Sequence, residues 1–243
     1  MSGTLYGELY LRSTLPFLSK EVAAREVECL ARLFSAHGGP TGPVLDLGCG
    51  HGRHAGLAAA LGRTVIGVEL DARSLRLRPA GFPAMRADFR RLPVRSGAAG
   101  GAFGWYSTLF ALGDDAAIAA LLEEIARALR PGALLVAHTV PYERLAARPT
   151  ARFQTDLPDG SRLEEESEFD PRTGVDRGRR KLTLAGGHVL QGEYAIRYYR
   201  LLELEEVLKA AGMQPVVAWG GLQGEPPSPG AADLIVGAIR RDA

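Results

Sequence analysis

The chain has 243 residues, 46% of them apolar, and its 29 basic side chains nearly balance 28 acidic ones for a formal charge of +1. That length suits one α/β domain with an insertion, and the neutral balance argues against a nucleic-acid footprint or an anionic membrane partner. Cys29 and Cys49 form neither a disulfide framework nor a metal spacing, residues 1–9 lack a basic stretch followed by an apolar run, and no run approaches the ~18 apolar residues of a membrane span, so a cytoplasmic location is expected.

In chain order, Ala23, Val27, Leu30, Phe34 and His37 fall at helical spacing with Leu33 beside them, behind Ser19 and ahead of Gly38-Gly39-Pro40. This predicts a capped amphipathic helix over 18–37. The stretch Val44-Leu45-Asp46-Leu47-Gly48-Cys49-Gly50-His51-Gly52-Arg53 reads as a buried strand ending in a glycine turn, which opens a helix over 55–61 stopped by Gly62. Gly48, Gly50 and Gly52 remove every Cβ where a nucleotide-like ligand would approach the backbone, and Asp46 places an acceptor at the strand end. A second strand over 64–69 ends in Glu69, a carboxylate placed to accept from two ribose hydroxyls. A third short element closes on Arg86-Ala87-Asp88-Phe89, which sets an acid beside an aromatic ring, a pairing able to receive an adenine amino group.

The fourth strand is expected within 98–108, followed by Asp114-Asp115, a helix over 116–129, a stop at Arg130-Pro131-Gly132 and a fifth strand over 133–140. Such alternation builds a parallel sheet covered on both faces. From 141 to 199 the period changes: turn signals at Pro158-Asp159-Gly160, Asp170-Pro171-Arg172-Thr173-Gly174 and Ala185-Gly186-Gly187 fit four antiparallel strands. A helix over 201–211 and strands over 214–219 and 233–239 follow, separated by a loop whose Pro226, Pro227 and Pro229 exclude helix and central strand.

The glycine turn, Glu69 and Asp88 together resemble the class I S-adenosylmethionine-dependent methyltransferases. Two further segments carry the likeness: the one running from Leu121 to Gly132, and the return from Tyr198 through Leu204 to Gly212-Met213. The resemblance implies a Rossmann-like α/β fold with a seven-stranded, mostly parallel sheet whose last strand is antiparallel, and an antiparallel β insertion after strand five. Residues 1–140 and 200–243 would form the core, with a helical segment over 1–39, and 141–199 a substrate lid or dimer element. S-adenosyl-L-methionine would then be held by Asp46, Gly48, Cys49, Gly50, Gly52, Glu69, Leu70, Asp88 and Phe89. A dinucleotide site is the competing reading, but Gly-x-Gly-x-x-Gly would need a small residue where Arg53 stands. Two departures stand out. Strand four opens on Gly100-Gly101-Ala102-Phe103-Gly104 without the family's acid, and it ends in Ser107-Thr108-Leu109-Phe110 where relatives that methylate nucleobase amines or glutamine carry an Asn/Asp-Pro-Pro-aromatic signature.

Methyl transfer from a sulfonium is an in-line displacement for which the protein supplies positioning and exclusion of water. A neutral amine needs little more, whereas a hydroxyl or carbon acceptor usually needs a base. His138, at the end of strand five, is the candidate base, its alternative role being a packed sheet histidine. His51 and His54 lack further partners for a metal, and none is expected. Tyr6 and Tyr10, four apart, share a helix face that would close over the cofactor or acceptor or anchor the terminus. Arg197, Tyr198 and Tyr199 stand at the junction between the insertion and the next helix; alternation sends the two tyrosines to opposite faces, so only one lines the acceptor pocket. The reading is methyl transfer to an N, O or C atom of a small-molecule acceptor by a monomer or homodimer. An RNA- or protein-directed methyltransferase and a non-catalytic S-adenosylmethionine-binding module are the alternatives.

Overall fold

A computed structural model describes residues 3–4 and 7–242. A two-residue strand β1 (Gly3–Thr4) precedes α1 (Glu8–Thr14) and α2 (Lys20–Ala36). Ser19 caps α2 by accepting from the Val22 N–H at 3.2 Å, and the buried stripe Glu26, Cys29, Leu30, Leu33, Phe34 follows helical period. The core continues as β2 (Val44–Leu47), α3 (Leu57–Leu61), β3 (Val65–Glu69), α4 (Ala72–Arg76), β4 (Ala84–Arg86), β5 (Ala99–Gly104), α5 (Asp115–Ala128) and β6 (Leu129–Thr139). The insertion holds α6 (Tyr142–Ala146), β7 (Thr150–Asp156), β8 (Arg162–Asp170), β9 (Val175–Thr183) and β10 (Val189–Arg197). The chain closes with α7 (Leu201–Ala210), β11 (Met213–Trp219) and β12 (Leu234–Arg240).

The main sheet has seven strands in the order β11-β12-β6-β5-β2-β3-β4. Six run parallel, and β12, antiparallel to both β6 and β11, lies second from the edge. Each face is covered as a strand–helix alternation requires. On β6, Leu135 and Ala137 join Ile118, Leu122, Leu204 and Leu208 from α5 and α7, while Leu134 and Val136 join Leu30, Phe34 and Leu57 from α2 and α3. The glycines that open strand β5 are a packing requirement: a Cβ on Gly101 would come within 2.6 Å of the Phe34 ring.

Three boundaries differ from expectation. Strand β6 begins directly after α5, because Leu129 pairs with Ala99 and the register then shifts between Ala99 and Gly101; the Pro131-Gly132 signal lies at an irregularity inside the strand, where Gly132 has φ 78°. Helix α3 is only five residues long, since 51–56 remain a series of turns. Helix α6 was not foreseen; it is fastened by the Tyr142 hydroxyl donating to the Pro171 carbonyl at 2.6 Å.

Strands β7 to β10 form consecutive antiparallel pairs as the turn signals imply, and β1 adds to β10 in parallel, giving a second sheet in the order β1-β10-β9-β8-β7. Helix α1 packs on it through Leu9, which meets Leu157, Leu163 and Leu182, while Arg180 donates to the Ser13 and Thr14 hydroxyls at 3.0 and 2.9 Å. This sheet meets the core at the carboxyl-terminal edge of the parallel strands: a Cβ on Gly113, in the segment after β5, would lie 2.7 Å from Ala195 of β10.

Candidate active site

Strands β2, β3 and β4 lie side by side, and their carboxyl ends bring the glycine turn, Glu69 and Asp88 into one row. Gly48 adopts φ +74°, and a Cβ there would lie 2.4 Å from Thr108 Cγ2, so both backbone and space demand glycine. Gly50 adopts φ +55° and has no atom within 4 Å of its Cβ position, leaving the turn open on that side. Its N–H donates to Glu69 Oε2 at 3.0 Å, while Glu69 Oε1 accepts from the Asp71 N–H at 2.8 Å. A carboxylate has about four acceptor positions, so about two remain for hydroxyl donors. Leu70 follows, 58% exposed. The Phe89 ring lies 3.6 Å from the Cβ position of Gly48. Asp88 is clasped by Arg90, whose Nε and Nη2 donate to it at 2.6 to 3.0 Å and whose hydrogen bonds hold the carboxyl below its ordinary range. Cys49 packs its thiol against Gly67 in the apolar cluster with Phe82, and Gly52 backs onto Phe82 as well. These features fit the cofactor implied by the resemblance: an open backbone turn, spare acceptors on Glu69, an exposed apolar side chain beside them, and a buried Asp46 Oδ2 without a hydrogen-bond partner among the described residues.

The end of β5 forms the other half. Tyr106 and Ser107 adopt φ 51° and 56°, two consecutive left-handed non-glycine residues, a conformation that persists only where surrounding contacts enforce it. His138 supplies most of them. Its Nδ1 accepts from the Tyr106 N–H at 3.1 Å, its carbonyl accepts from the Ser107 N–H at 3.0 Å, and its ring stacks on Trp105 with centroids 4.4 Å apart. A backbone N–H can only donate, so the proton of the neutral ring sits on Nε2, which donates to Asp233 at 2.9 Å. Both nitrogens of the expected base are engaged, and the residue is buried.

Beneath this turn, buried Glu26 accepts from Trp105 Nε1 at 3.1 Å, His54 Nε2 at 3.1 Å and Arg53. Burial pushes the Glu26 carboxyl up, but the His54 hydrogen bond and the Arg53 charge outweigh it and hold the group below its ordinary value. The Arg53 guanidinium lies over the Tyr106 ring at 4.5 Å. Burial, then the Glu26 charge, pushes the Tyr106 phenol up to about 12. Tyr10, on α1, is also raised by burial, with the charges of Arg53 and Arg180 pulling it back and those of Glu69 and Glu26 adding to it. Its expected companion Tyr6 lies outside the described residues.

Arg197, Tyr198 and Tyr199 fasten the insertion to the core. Arg197 donates to Asp115 at 2.9 Å and lies over the Tyr199 ring at 4.0 Å, and the Tyr199 hydroxyl donates to Asp115 at 2.7 Å. Tyr198 and Tyr199 do turn to opposite sides, yet both are buried, Tyr199 against Phe110 and Tyr198 against Phe169. Sequence reasoning passed over Arg53, Glu26 and Tyr106. An acid at 26 in register with the apolar positions 30 and 33 was a usable signal for one of them; the strained pair at 106–107 has no sequence signature. Among the described residues no group of three His, Cys, Asp or Glu is arranged to hold a metal ion.

Residues 44–132 match the family model described as "Methyltransferase domain". No curated protein matches the chain. Its fold is similar to that of the CcbJ methyltransferase from Streptomyces caelestis at TM-score 0.78 and 21% identity, over 98% of this chain and 99% of that one. It is likewise similar to an S-adenosylmethionine-dependent methyltransferase from Clostridium acetobutylicum, at TM-score 0.79 and 12% identity over 96% and 97% of the two chains. A third similar structure is S-adenosylmethionine-bound CalS10 from Micromonospora echinaspora, described as an amino pentose methyltransferase, at TM-score 0.66 and 20% identity over 99% and 100%. Residues 44–132 are thus a methyltransferase domain, carried in a fold similar along nearly its whole length to that of S-adenosylmethionine-dependent methyltransferases.

Proposed function

We propose that the chain methylates an amine nitrogen of a small, hydroxylated acceptor, such as an amino sugar, held between the 105–108 turn and the insertion. The observation that carries this reading is the state of His138: with Nδ1 accepting and Nε2 donating, it serves as the brace of the strained turn and has no nitrogen free to deprotonate a hydroxyl. A neutral amine brings its own lone pair and needs no such base. The description of CalS10 as an amino pentose methyltransferase points the same way.

Bound at the glycine turn, the cofactor supplies an activated methyl group. Glu69 would accept from its ribose hydroxyls and Asp88 from its adenine amino group, with Leu70 and Phe89 flanking the base. Tyr10 and Tyr106 would line the acceptor side. The insertion and α1 would exclude water as a lid, which Arg197, Tyr198 and Tyr199 hold at its root. The same proposal places the enzyme in a reducing compartment such as the cytoplasm, in keeping with two free cysteines, as a monomer or homodimer without a nucleic-acid partner. A panel of amino sugars, their N-acetyl derivatives and the matching sugars without nitrogen, read by release of S-adenosylhomocysteine, tests it. Turnover is expected only with free amines; turnover of the nitrogen-free sugars alone would refute the amine assignment.

A further inference from the structure

Three buried side-chain polar atoms lack a hydrogen-bond partner among the described residues, and two of them, Asp46 Oδ2 and Arg53 Nη2, belong to the glycine turn and its strand. The third, Arg130 Nε, is at the opposite end of the sheet. The first two are opposite in kind, a carboxylate oxygen and a guanidinium nitrogen. One buried run of side chains connects them: His54 Nδ1 is 3.8 Å from Asp46 Oδ2, His54 Nε2 is 3.1 Å from Glu26 Oε2, and Arg53 Nη1 pairs with the same Glu26 oxygen. The Asp46 and Arg53 side chains are 3% and 10% exposed. An ionised group buried with unmet hydrogen-bonding capacity is costly. Two of them, opposite in sign and carried by the glycine turn and the strand that leads into it, match a zwitterion in charge. An α-amino acid end, carboxylate and ammonium on one carbon, is such a group.

We propose that Arg53 is the carboxylate anchor of the site, its Nη2 donating to the α-carboxylate of the cofactor's methionine portion. Asp46 Oδ2, opposite in charge, faces the ammonium in this arrangement. The inference rests on the cofactor reading. What Arg53 adds is preorganisation. Glu26 holds Nη1 and the Tyr106 ring lies against the guanidinium at 4.5 Å, so the planar fork is oriented before a ligand arrives. The same contacts couple the cofactor's amino-acid end to the strained turn of the acceptor side.

Titration calorimetry of the full chain with S-adenosylhomocysteine and with methylthioadenosine, which keeps the nucleoside and thioether but lacks the amino-acid end, tests the assignment. Arg53→Met and Arg53→Lys should weaken S-adenosylhomocysteine by about 10- to 100-fold, the range for a hydrogen bond between charged groups, and leave methylthioadenosine binding unchanged. The lysine variant keeps a cation for Glu26, and unchanged methylthioadenosine binding certifies a folded site in either variant. Equal weakening of both ligands would overturn the proposal, since Arg53 would then only shape the turn. Undiminished S-adenosylhomocysteine binding would overturn it too, placing the carboxylate elsewhere. If the unmodified protein bound neither ligand, the cofactor reading itself would fall and the anchor with it.

Discussion

The two halves of the site are built from different materials. The row around the glycine turn is made from backbone and from residues adjacent in sequence: a turn of three left-handed glycines and acids at or just beyond the ends of β3 and β4. The turn after β5 is made from long-range side-chain contacts, in which Tyr106 is held by His138 from 32 residues away and Trp105 by Glu26 from 79 residues away. A backbone-built site tolerates change around it and fails when one glycine is replaced. A side-chain-built site loses its shape by degrees as each brace goes.

The sharpest break of this contrast is Gly48→Ala. It forces a left-handed non-glycine residue and a contact of 2.4 Å with Thr108, and the expected destabilisation is about 2 to 5 kcal/mol from backbone strain and overpacking together, read by thermal unfolding. An alanine variant of unchanged stability would show that the turn relaxes. Next, Glu69→Ala should cost about 2 to 4 kcal/mol of S-adenosylhomocysteine affinity by calorimetry, since a charged acceptor of two hydrogen bonds is lost. Because Glu69 also accepts from Gly50 and Asp71, a modest loss of stability should accompany it, and Glu69→Gln should recover part of both.

On the acceptor side, His138→Phe leaves the Tyr106 N–H and Asp233 unpaired, an expected cost of about 1 to 3 kcal/mol in stability. As a brace, it should lower kcat and leave the shape of the pH profile intact. A change in the shape of that profile would instead mark His138 as a base. The smallest effect is expected for Asp88→Ala, about 1 kcal/mol of cofactor affinity, because Arg90 already occupies much of the carboxylate and adenine also gains apolar contacts. A loss equal to that of Glu69→Ala would mean that Arg90 swings away when the nucleoside binds.

The same contrast explains what was legible in the sequence. The core was readable because its signals are local: Ser19 and Gly38 bracket α2, Gly62 stops α3, and period-two and turn patterns mark β7 to β10. The positions of Glu69 and Asp88 at the carboxyl ends of β3 and β4 were readable because they follow strands at fixed offsets. Arg53 looked only like an obstacle to dinucleotide binding, since nothing local shows that Glu26, on helix α2, waits for it. Tyr199 looked like a pocket residue because its adjacency to the insertion is visible in sequence, while its bond to Asp115 is not.

The parallel pairing of β1 with β10 carries a lesson about modularity. The second sheet is stitched from two distant stretches, one at the start of the described chain and one in the 150–197 region, with α1 running from that sheet to α4, where Glu8 lies 3.8 Å from Arg73. A chimera that imports another enzyme's insertion to change its acceptor would therefore inherit a sheet with an uncovered edge and a foreign α1 beneath it. The transplantable unit is the insertion together with residues 3–14, and swaps that respect this seam should keep their fold while exchanging acceptor preference.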